Sequence, residues 1–226
     1  METTVESVMT TDVVSVGERT PFKEIVETMR RGRVHAVPVV DADGRVTGIV
    51  SSGDLIMKEA DPTAAEEEHL LATPRRHREW RKASGTVAAE LMSSPARTIR
   101  PEATVREAAR EMHRHRVGRL PVVEPDAGTL VGIVSRSDIL SVYERPDEEI
   151  EHDIRAELDR HPLGPRPADL EVSVERGRAH VYGRVALRSQ IPALMHHVRR
   201  VEGVVSAQSH LTWDTDDLIT WRYPYL

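Results

Sequence analysis

The chain has 226 residues, a formal net charge of -6 and no cysteine, with 39% hydrophobic and 30% charged residues. The negative charge argues against nucleic acid as a partner, and the absence of cysteine excludes disulfides and thiolate chemistry. No apolar run approaches the roughly 20 residues that span a bilayer. The acidic N-terminal stretch does not fit a signal peptide, so a cytoplasmic location is expected.

The N-terminal part of the chain predicts the order β-α-β-β-α. Apolar residues at helical spacing alternate with short apolar runs that are bounded by turn-forming residues. Thr20 is expected to cap the first helix, with Pro21 in its first turn. The expected elements are a strand at 13–16, a helix at 21–31, a hairpin at 36–40 and 45–50, and a second helix that starts at 51–54.

The same pattern of elements recurs from Thr98 to about Tyr143. Pro38-Val39-Val40 recurs 83 residues later as Pro121-Val122-Val123, and Gly48-Ile49-Val50-Ser51 recurs 84 residues later as Gly132-Ile133-Val134-Ser135. The one extra residue falls in the turn between the strands, where length costs little. Two copies of one unit predict a pair of pseudo-symmetric halves that pack on each other.

After residue 146 the pattern changes to α-β-β-α-β. The expected elements are a helix at 147–160, a hairpin at 170–174 and 179–185, a helix that Ser189 caps and Gly203 ends, and a last strand at 204–213. The resulting division of the chain is a first repeat at 1–60, a charged connector at 61–84, a second repeat at 85–145, a small domain at 147–213 and a tail at 214–226.

Each repeat ends its hairpin in Gly-Ile-Val-Ser-x-x-Asp at the start of a helix. A serine hydroxyl and the N–H groups of a helix start favour an anion, and an aspartate three residues on can accept hydrogen bonds from a ribose diol. Arg136, between Ser135 and Asp138, is suited to bind a phosphate. The alternative interpretation is that Ser51 and Ser135 only cap their helices.

The two copies resemble a tandem pair of CBS domains. The resemblance implies an α+β fold with a pseudo-twofold axis, two clefts for adenosine-based ligands such as AMP, ADP, ATP or a related adenosyl compound, and a homodimer of CBS pairs. The residues that carry it are Met9-Thr10, 35–41, Gly44, 48–51 and Asp54, with their equivalents Met92-Ser93, 119–123, Gly128, 132–135 and Asp138.

Residue matching to this family assigns each cleft. The aspartates would take the ribose hydroxyls, the serines would lie beside phosphate, and the others would enclose the base or add basic contacts. The favoured cleft comprises Met92, Arg97, Arg119, Leu120, Pro121, Ser135, Arg136 and Asp138. The second cleft comprises Met9, Val14, His35, Ala36, Val37, Pro38, Ser51 and Asp54, and is less basic because Ala36 stands where the other copy has Arg119. Loss of Asp138 is expected to abolish nucleotide binding and to spare the stability of the free protein.

Residues 147–213 resemble a BON domain, through 175–185 and 201–205. BON domains are associated with envelope proteins and phospholipid surfaces. This segment, however, has no evident basic surface that would bind anionic lipid. A small dimerising or protein-docking module is therefore an equally supported interpretation, with an unknown protein as the partner.

The sequence contains no nucleophile elbow, phosphate-binding glycine loop or zinc-type cluster, so neither catalytic residues nor metal ligands are predicted. Two functions stay open. The first is a non-catalytic regulatory protein that senses an adenosine-based nucleotide and uses the BON domain as a docking or output module. The second is a constitutive scaffold, or an envelope- or phospholipid-associated docking protein, without a ligand response. Lysine occurs at only three positions, which is typical of GC-rich bacterial genomes.

Overall fold

The structure is a computed structural model, and it describes residues 3–60, 85–160 and 170–218. The connector predicted at 61–84 and the part of the tail from residue 219 lie outside the described residues. The chain divides into two compact units, Met1–Ile139 and Leu140–Leu226. In the described parts, no helix is both long enough and apolar enough to cross a membrane.

The first repeat has the predicted order β-α-β-β-α, preceded by a single helical turn. Strand β1 is parallel to β2, and β2 is antiparallel to β3. The elements are α1 (Val5–Val8), β1 (Val16–Gly17), α2 (Phe22–Gly32), β2 (Ala36–Val40), β3 (Val46–Ser51) and α3 (Ser52–Ala60).

The second repeat follows the same plan with a shorter first strand. Where the first repeat pairs Val16 with Val39, the second has an isolated parallel bridge between Ile99 and Val122. A short 3-10 turn at Ser141–Tyr143 ends the segment. The elements are α4 (Ala88–Leu91), α5 (Val105–His115), β4 (Arg119–Val123), β5 (Leu130–Ser135) and α6 (Arg136–Leu140).

Each central hairpin has a core face and an outer face. In the first repeat Val37, Val39 and Val50 are fully buried and form the core face. Successive residues of a strand point to opposite faces. Ser51 therefore lies on the outer face, beside its cross-strand partner Ala36.

The second hairpin is built in the same way. Leu120, Val122 and Val134 are fully buried on its core face. Ser135 lies on the outer face, and its cross-strand partner there is Arg119. The two outer faces therefore differ at one equivalent position, which is alanine in the first repeat and arginine in the second.

The segment in front of each repeat crosses to the other repeat. Thr10 exchanges two backbone hydrogen bonds with Ile133, at N···O distances of 3.0 and 2.9 Å. Ser93 does the same with Ile49, at 3.2 and 2.9 Å. Because each copy completes the sheet edge of the other, the two repeats form one folding unit, and neither copy is complete alone.

The equivalent helices α2 and α5 begin differently. Thr104 caps α5, accepting the N–H of Glu107 at 3.1 Å while the Glu107 carboxylate accepts the N–H of Thr104 at 2.8 Å. This reciprocal arrangement is a capping box. The N-cap of α2 is Pro21 and not Thr20, so the sequence prediction was wrong. Thr20 instead uses its backbone carbonyl to accept the N–H of Ala88, at 2.9 Å.

The second unit has the predicted order α-β-β-α-β. Strand β7 is central, antiparallel to β6 and parallel to β8. One apolar cluster joins both helices to one face of this sheet, with Ile154, Val181 and Val198 among its fully buried members. The elements are α7 (Asp147–Arg160), β6 (Leu170–Glu175), β7 (Arg178–Leu187), α8 (Gln190–Arg200) and β8 (Ser206–Thr215).

Ser189 precedes α8 as predicted but does not cap it with its side chain. Its hydroxyl and its N–H both donate to the carboxylate of Asp217, at 2.5 and 3.0 Å. The hydroxyl bond, followed by the N–H bond, lowers the pKa of Asp217 below its ordinary value. Ser189 therefore ties the start of α8 to the chain that follows β8.

Candidate functional site

The Ser-x-x-Asp segment that follows each hairpin is a tight hydrogen-bonded turn. The Asp138 carboxylate accepts the N–H of Ser135 at 2.7 Å and its hydroxyl at 2.8 Å. Asp54 holds Ser51 in the same way, at 2.8 and 2.7 Å. In these bonds the serine is the donor and the aspartate the acceptor. In the first repeat the Ser51 hydroxyl also accepts the N–H of Asp54 at 3.4 Å, which is the bond that the capping interpretation predicts. The carboxylate of each site is thus fixed in position by its own serine.

Two arginines flank Ser135 in the second repeat. Arg119 is its direct cross-strand partner, and such partners have Cβ atoms about 4.5–5.5 Å apart. The Arg136 guanidinium lies against the loop before β4, where its Nη2 donates to the carbonyl of Val117 at 3.3 Å. The Arg136 N–H donates to the carbonyl of Gly118 at 3.2 Å. A hydroxyl, a carboxylate and two guanidinium side chains are therefore grouped around the start of α6.

Ser137 is a member of this group that the sequence analysis missed. Its hydroxyl lies 2.8 Å from the hydroxyl of Ser135. The equivalent position in the first repeat is Gly53, which has no side chain. Comparison of the two copies at this position was the signal that could have found it.

The first repeat offers a less basic version of the same turn. Ala36 and Ser52 occupy the positions of the two arginines. His35 is exposed, and its backbone carbonyl accepts the N–H of Ser52 at 2.9 Å. The backbone turn is conserved between the copies, whereas the positive charge is confined to the second copy.

Met9 and Met92, each assigned to a cleft from the sequence, contact a glycine of the opposite repeat. A Cβ atom built on Gly48 would be 2.2 Å from the Met92 Sδ, and one on Gly132 would be 2.4 Å from the Met9 Sδ. Each methionine therefore packs on the core face of the opposite repeat. The cause is the exchange of the segments in front of the repeats, which a comparison of the copies in register does not reveal.

Three further residues assigned to the clefts contribute to packing. Leu120 and Val37 are fully buried on the core faces of their hairpins. Val14 packs beside Gly32, where a Cβ atom would be 3.1 Å from its Cγ2. Leu120 and Val37 are core residues, and Val14 is partly buried against the core of the first repeat.

The remaining assigned residues stay on the outer side of the hairpins. Pro121 pairs with Ile133 and Pro38 pairs with Ile49, on the same faces as the two serines. Arg97 is exposed, two residues before the bridge that joins its segment to β4. The structure therefore keeps an outer-face set in the second repeat, consisting of Arg119, Pro121, Ser135, Arg136 and Asp138.

A separate groove of about 830 Å³ lies along α5, and the sequence analysis did not predict it. Its charged lining mixes arginines with glutamates, and Arg114 and Glu111 pair across 3.0 Å. Such a balanced lining favours neither an anion nor a cation. Elsewhere in the described ranges, no group of three or more histidine, aspartate or glutamate side chains is placed to hold a metal ion.

The tandem hairpins, the exchanged segments and the paired Ser-x-x-Asp turns define a CBS-type pair. The CBS-domain profile matches residues 5–61 and 87–145, and the BON-domain profile matches residues 146–215. The chain belongs to the CBS-domain family and carries a BON domain after the pair, which confirms both resemblances drawn from the sequence.

Known relatives match the CBS pair. A CBS domain-containing protein of Dictyostelium discoideum is 30% identical over 143 residues, which are 63% of this chain and 92% of the relative. The magnesium transporter MgtE of Thermus thermophilus is 31% identical over 153 residues, which are 66% of this chain but only 28% of the transporter.

Solved structures show the same fold for this pair. The crystal structure of CBSX2 in complex with AMP has a TM-score of 0.53 and 25% identity, and the match covers 62% of this chain and 95% of CBSX2. The CBS-domain pair of protein MJ0100, in complex with 5′-methylthioadenosine and S-adenosyl-L-methionine, has a TM-score of 0.52 and 19% identity. That match covers 64% of this chain and 98% of the MJ0100 pair.

Proposed function

We propose that this protein is a non-catalytic regulatory protein whose CBS pair binds an adenosine-based ligand of the AMP class in the second repeat. The observation that carries the proposal is that Arg119 pairs with Ser135 across the hairpin and Arg136 follows it in the chain, with Asp138 held against the same serine. The resemblance to CBSX2, a CBS-pair protein crystallised with AMP, supports the same ligand class.

The two arginines supply the phosphate specificity of the proposed site. Guanidinium groups bind phosphate oxygens through charge-assisted, often bidentate hydrogen bonds. The hydroxyls of Ser135 and Ser137, 2.8 Å apart, add neutral donors beside them. Because the first repeat has Ala36 and Ser52 at the arginine positions, we expect its cleft to bind a phosphorylated ligand more weakly.

Asp138 supplies the ribose specificity. A carboxylate can accept about four hydrogen bonds, so the two that it receives from Ser135 are compatible with ribose hydroxyl donors. Its bonds to Ser135 also keep the carboxylate oriented before the ligand arrives, which lowers the ordering cost of binding.

The exchanged segments offer a route by which ligand binding in the second repeat changes the structure of the first repeat. Strand β5 leads into Ser135, and two residues earlier Ile133 exchanges hydrogen bonds with Thr10 from the first repeat. A ligand that shifts the end of β5 therefore acts on a segment of the other copy. Ligand binding changes an equilibrium only by its difference in affinity for the two states.

Calorimetry of the full chain with AMP and with adenosine tests the proposal. Asp138→Asn should weaken both ligands by about ten- to a hundredfold, because a charged acceptor for the ribose is lost. Arg119→Ala and Arg136→Ala should weaken AMP but leave adenosine nearly unchanged. Asp54→Asn, in the less basic repeat, is the matched control and should retain AMP binding.

Two results would overturn this function. The first is wild-type protein that binds neither AMP nor adenosine at millimolar concentration. The second is equal binding by wild type and Asp138→Asn. Either result leaves a constitutive scaffold as the better interpretation, with the BON domain as its docking module.

A homodimer of CBS pairs is part of the proposal. The resemblance to CBS pairs supports it, and such a contact could cover apolar side chains such as Val26 on α2 and Ile56 on α3, which are 40% and 64% exposed. Sedimentation should therefore show a species of about twice the 25.4 kDa chain mass. A monomer at micromolar concentration contradicts the dimer without affecting the ligand proposal.

A further inference from the structure

Three aromatic rings are stacked on the helix-free face of the sheet in the second unit. His210 lies over Tyr182 with ring centroids 4.5 Å apart and an interplanar angle of 10°. His180 follows at 5.4 Å from His210, with an angle of 22°. Tyr182 and His210 are direct partners across β7 and β8, and His180 precedes Tyr182 by two residues. All three side chains therefore share one face.

The two histidines meet through ring nitrogens. Nδ1 of His180 lies 3.1 Å from Nε2 of His210. A metal ion holds imidazole nitrogens at about 2.0–2.1 Å, so two of them on one ion are about 2.8–3.0 Å apart at a right angle and about 3.3–3.4 Å apart in a tetrahedron. The spacing of the pair falls between these two ranges. Both rings must turn from their hydrogen-bonded orientation before their lone pairs converge on one ion.

The geometry points to a divalent transition-metal site on this face, in which His180 Nδ1 and His210 Nε2 chelate one ion such as Zn²⁺, Ni²⁺ or Cu²⁺. Imidazole is a preferred ligand of these ions. Water fills the remaining coordination positions, because the pair lies at the solvent face of the sheet. One of the two rings now donates a proton to the other, and that ring takes its other tautomer when the ion binds.

The surroundings of the pair are compatible with a cation. Ser173 and Gln208 are the uncharged cross-strand partners of His180 on either side. Arg184, on the same face, is paired with Asp214 at 2.8 Å, so its charge is balanced. Glu171 is the partner of Tyr182 on β6, and its negative charge favours a cation on this face.

Tyr182 acts as a positioning residue and not as a ligand. The residue is 39% exposed, and its ring stacks on His210, which restricts the orientation of that imidazole. Tyr182→Phe keeps the stack and should leave metal affinity unchanged. Tyr182→Ala removes the stack and should weaken binding while two nitrogens still coordinate the ion.

Titration of the metal-free full chain with Zn²⁺, and electron paramagnetic resonance with one equivalent of Cu²⁺, test the site. Wild type should bind one ion tightly, with a spectrum that shows two coordinated nitrogens. His180→Gln and His210→Gln should each weaken binding by at least about tenfold, because the second ligand binds at high effective concentration. The double variant should be little weaker than either single variant, since chelation is already lost.

His113→Gln and His196→Gln, on helices α5 and α8, are matched controls and should bind as wild type does. Thermal melting of each variant checks that it is folded. We expect the sheet variants to be folded, because His180 and His210 lie on its exposed face. A wild-type spectrum with a single nitrogen would overturn the site. So would a two-nitrogen spectrum, or unchanged Zn²⁺ affinity, in the double variant.

Discussion

Asp138 binds Ser135 through two hydrogen bonds to the same carboxylate oxygen, one from the backbone N–H at 2.7 Å and one from the hydroxyl at 2.8 Å. The residue proposed to recognise ribose therefore also stabilises the turn that joins β5 to α6. Ligand recognition and local stability cannot be separated at this position, and the same holds for Asp54 and Ser51.

Asp138→Ala should lower the unfolding free energy of the free protein by about 1–3 kcal/mol, because two hydrogen bonds to a charged acceptor are lost. This replaces the expectation from sequence that the free protein would be unaffected. Denaturant unfolding followed by circular dichroism measures the loss, and Asp54→Ala should show a similar one. An unchanged midpoint for Asp138→Ala would show that the turn does not depend on the carboxylate.

The fold was predictable because its signals are local and repeated. Hydrophobic period, turn residues and a motif written twice are enough to predict two β-α-β-β-α copies and the α-β-β-α-β segment. The partnership of Met92 with Gly48 was not predictable. It depends on the segment in front of each copy packing on the other copy. An alignment of the two copies does not show this tertiary contact. The pairing of His180 with His210 was missed for a related reason, since the two lie 30 residues apart on adjacent strands.

Gly48→Ala should destabilise the CBS pair by about 1–3 kcal/mol through overpacking. A Cβ atom at Gly48 would lie 2.2 Å from the Sδ and 2.7 Å from the Cγ of Met92. Adding Met92→Ala should recover part of the loss, so that the two changes are coupled by more than about 0.5 kcal/mol. Chemical unfolding of both single variants and the double variant measures this coupling.

Gly53→Ala is the matched control for this experiment. Its Cβ atom would meet only the Ser51 Oγ, at 3.6 Å, which is ordinary contact, and alanine is the better helix former within α3. The change should be neutral or stabilising. Strictly additive effects of Gly48→Ala and Met92→Ala would contradict the exchange of segments between the repeats.

Glu107 should contribute a pH-dependent part of the stability of the second repeat. Its bonds from the Thr104 N–H and then the Thr104 hydroxyl lower the pKa of this carboxyl below its ordinary value. A folded-state pKa below the unfolded one means that the contribution is present above the unfolded pKa and is lost as the pH falls through the folded pKa. The difference in unfolding free energy between wild type and Glu107→Gln should be constant near pH 7 and vanish in acid.

Thr104→Ala provides the control for the capping box. It removes the bond that the Thr104 side chain accepts from the Glu107 N–H, and should cost about 1 kcal/mol of stability at neutral pH. It should also reduce the pH dependence attributed to Glu107. The capping box would be refuted if the stability difference for Glu107→Gln stayed the same from pH 7 to pH 3.

Gly177→Ala should destabilise the BON domain more than any exposed turn substitution in the CBS pair. Gly177 has a φ of +71°, and a Cβ atom there would lie 2.9 Å from the carbonyl oxygen of Gly203 and 2.8 Å from Val205. Its N–H also donates to the carboxylate of Asp147 at 2.8 Å, which ties the turn to the start of α7. A left-handed conformation costs a non-glycine residue about 1–2 kcal/mol, and a clash with backbone cannot be relieved by a side-chain rotation.

Gly44→Ala is the matched control, because Gly44 has a φ of +77° and nothing within 4 Å of its Cβ position, so it should show the conformational cost alone. Hydrogen exchange of strands β6 and β7 measures the first effect and exchange of β2 and β3 the second, and equal losses at the two sites would mean that the contact with Gly203 does not constrain the turn.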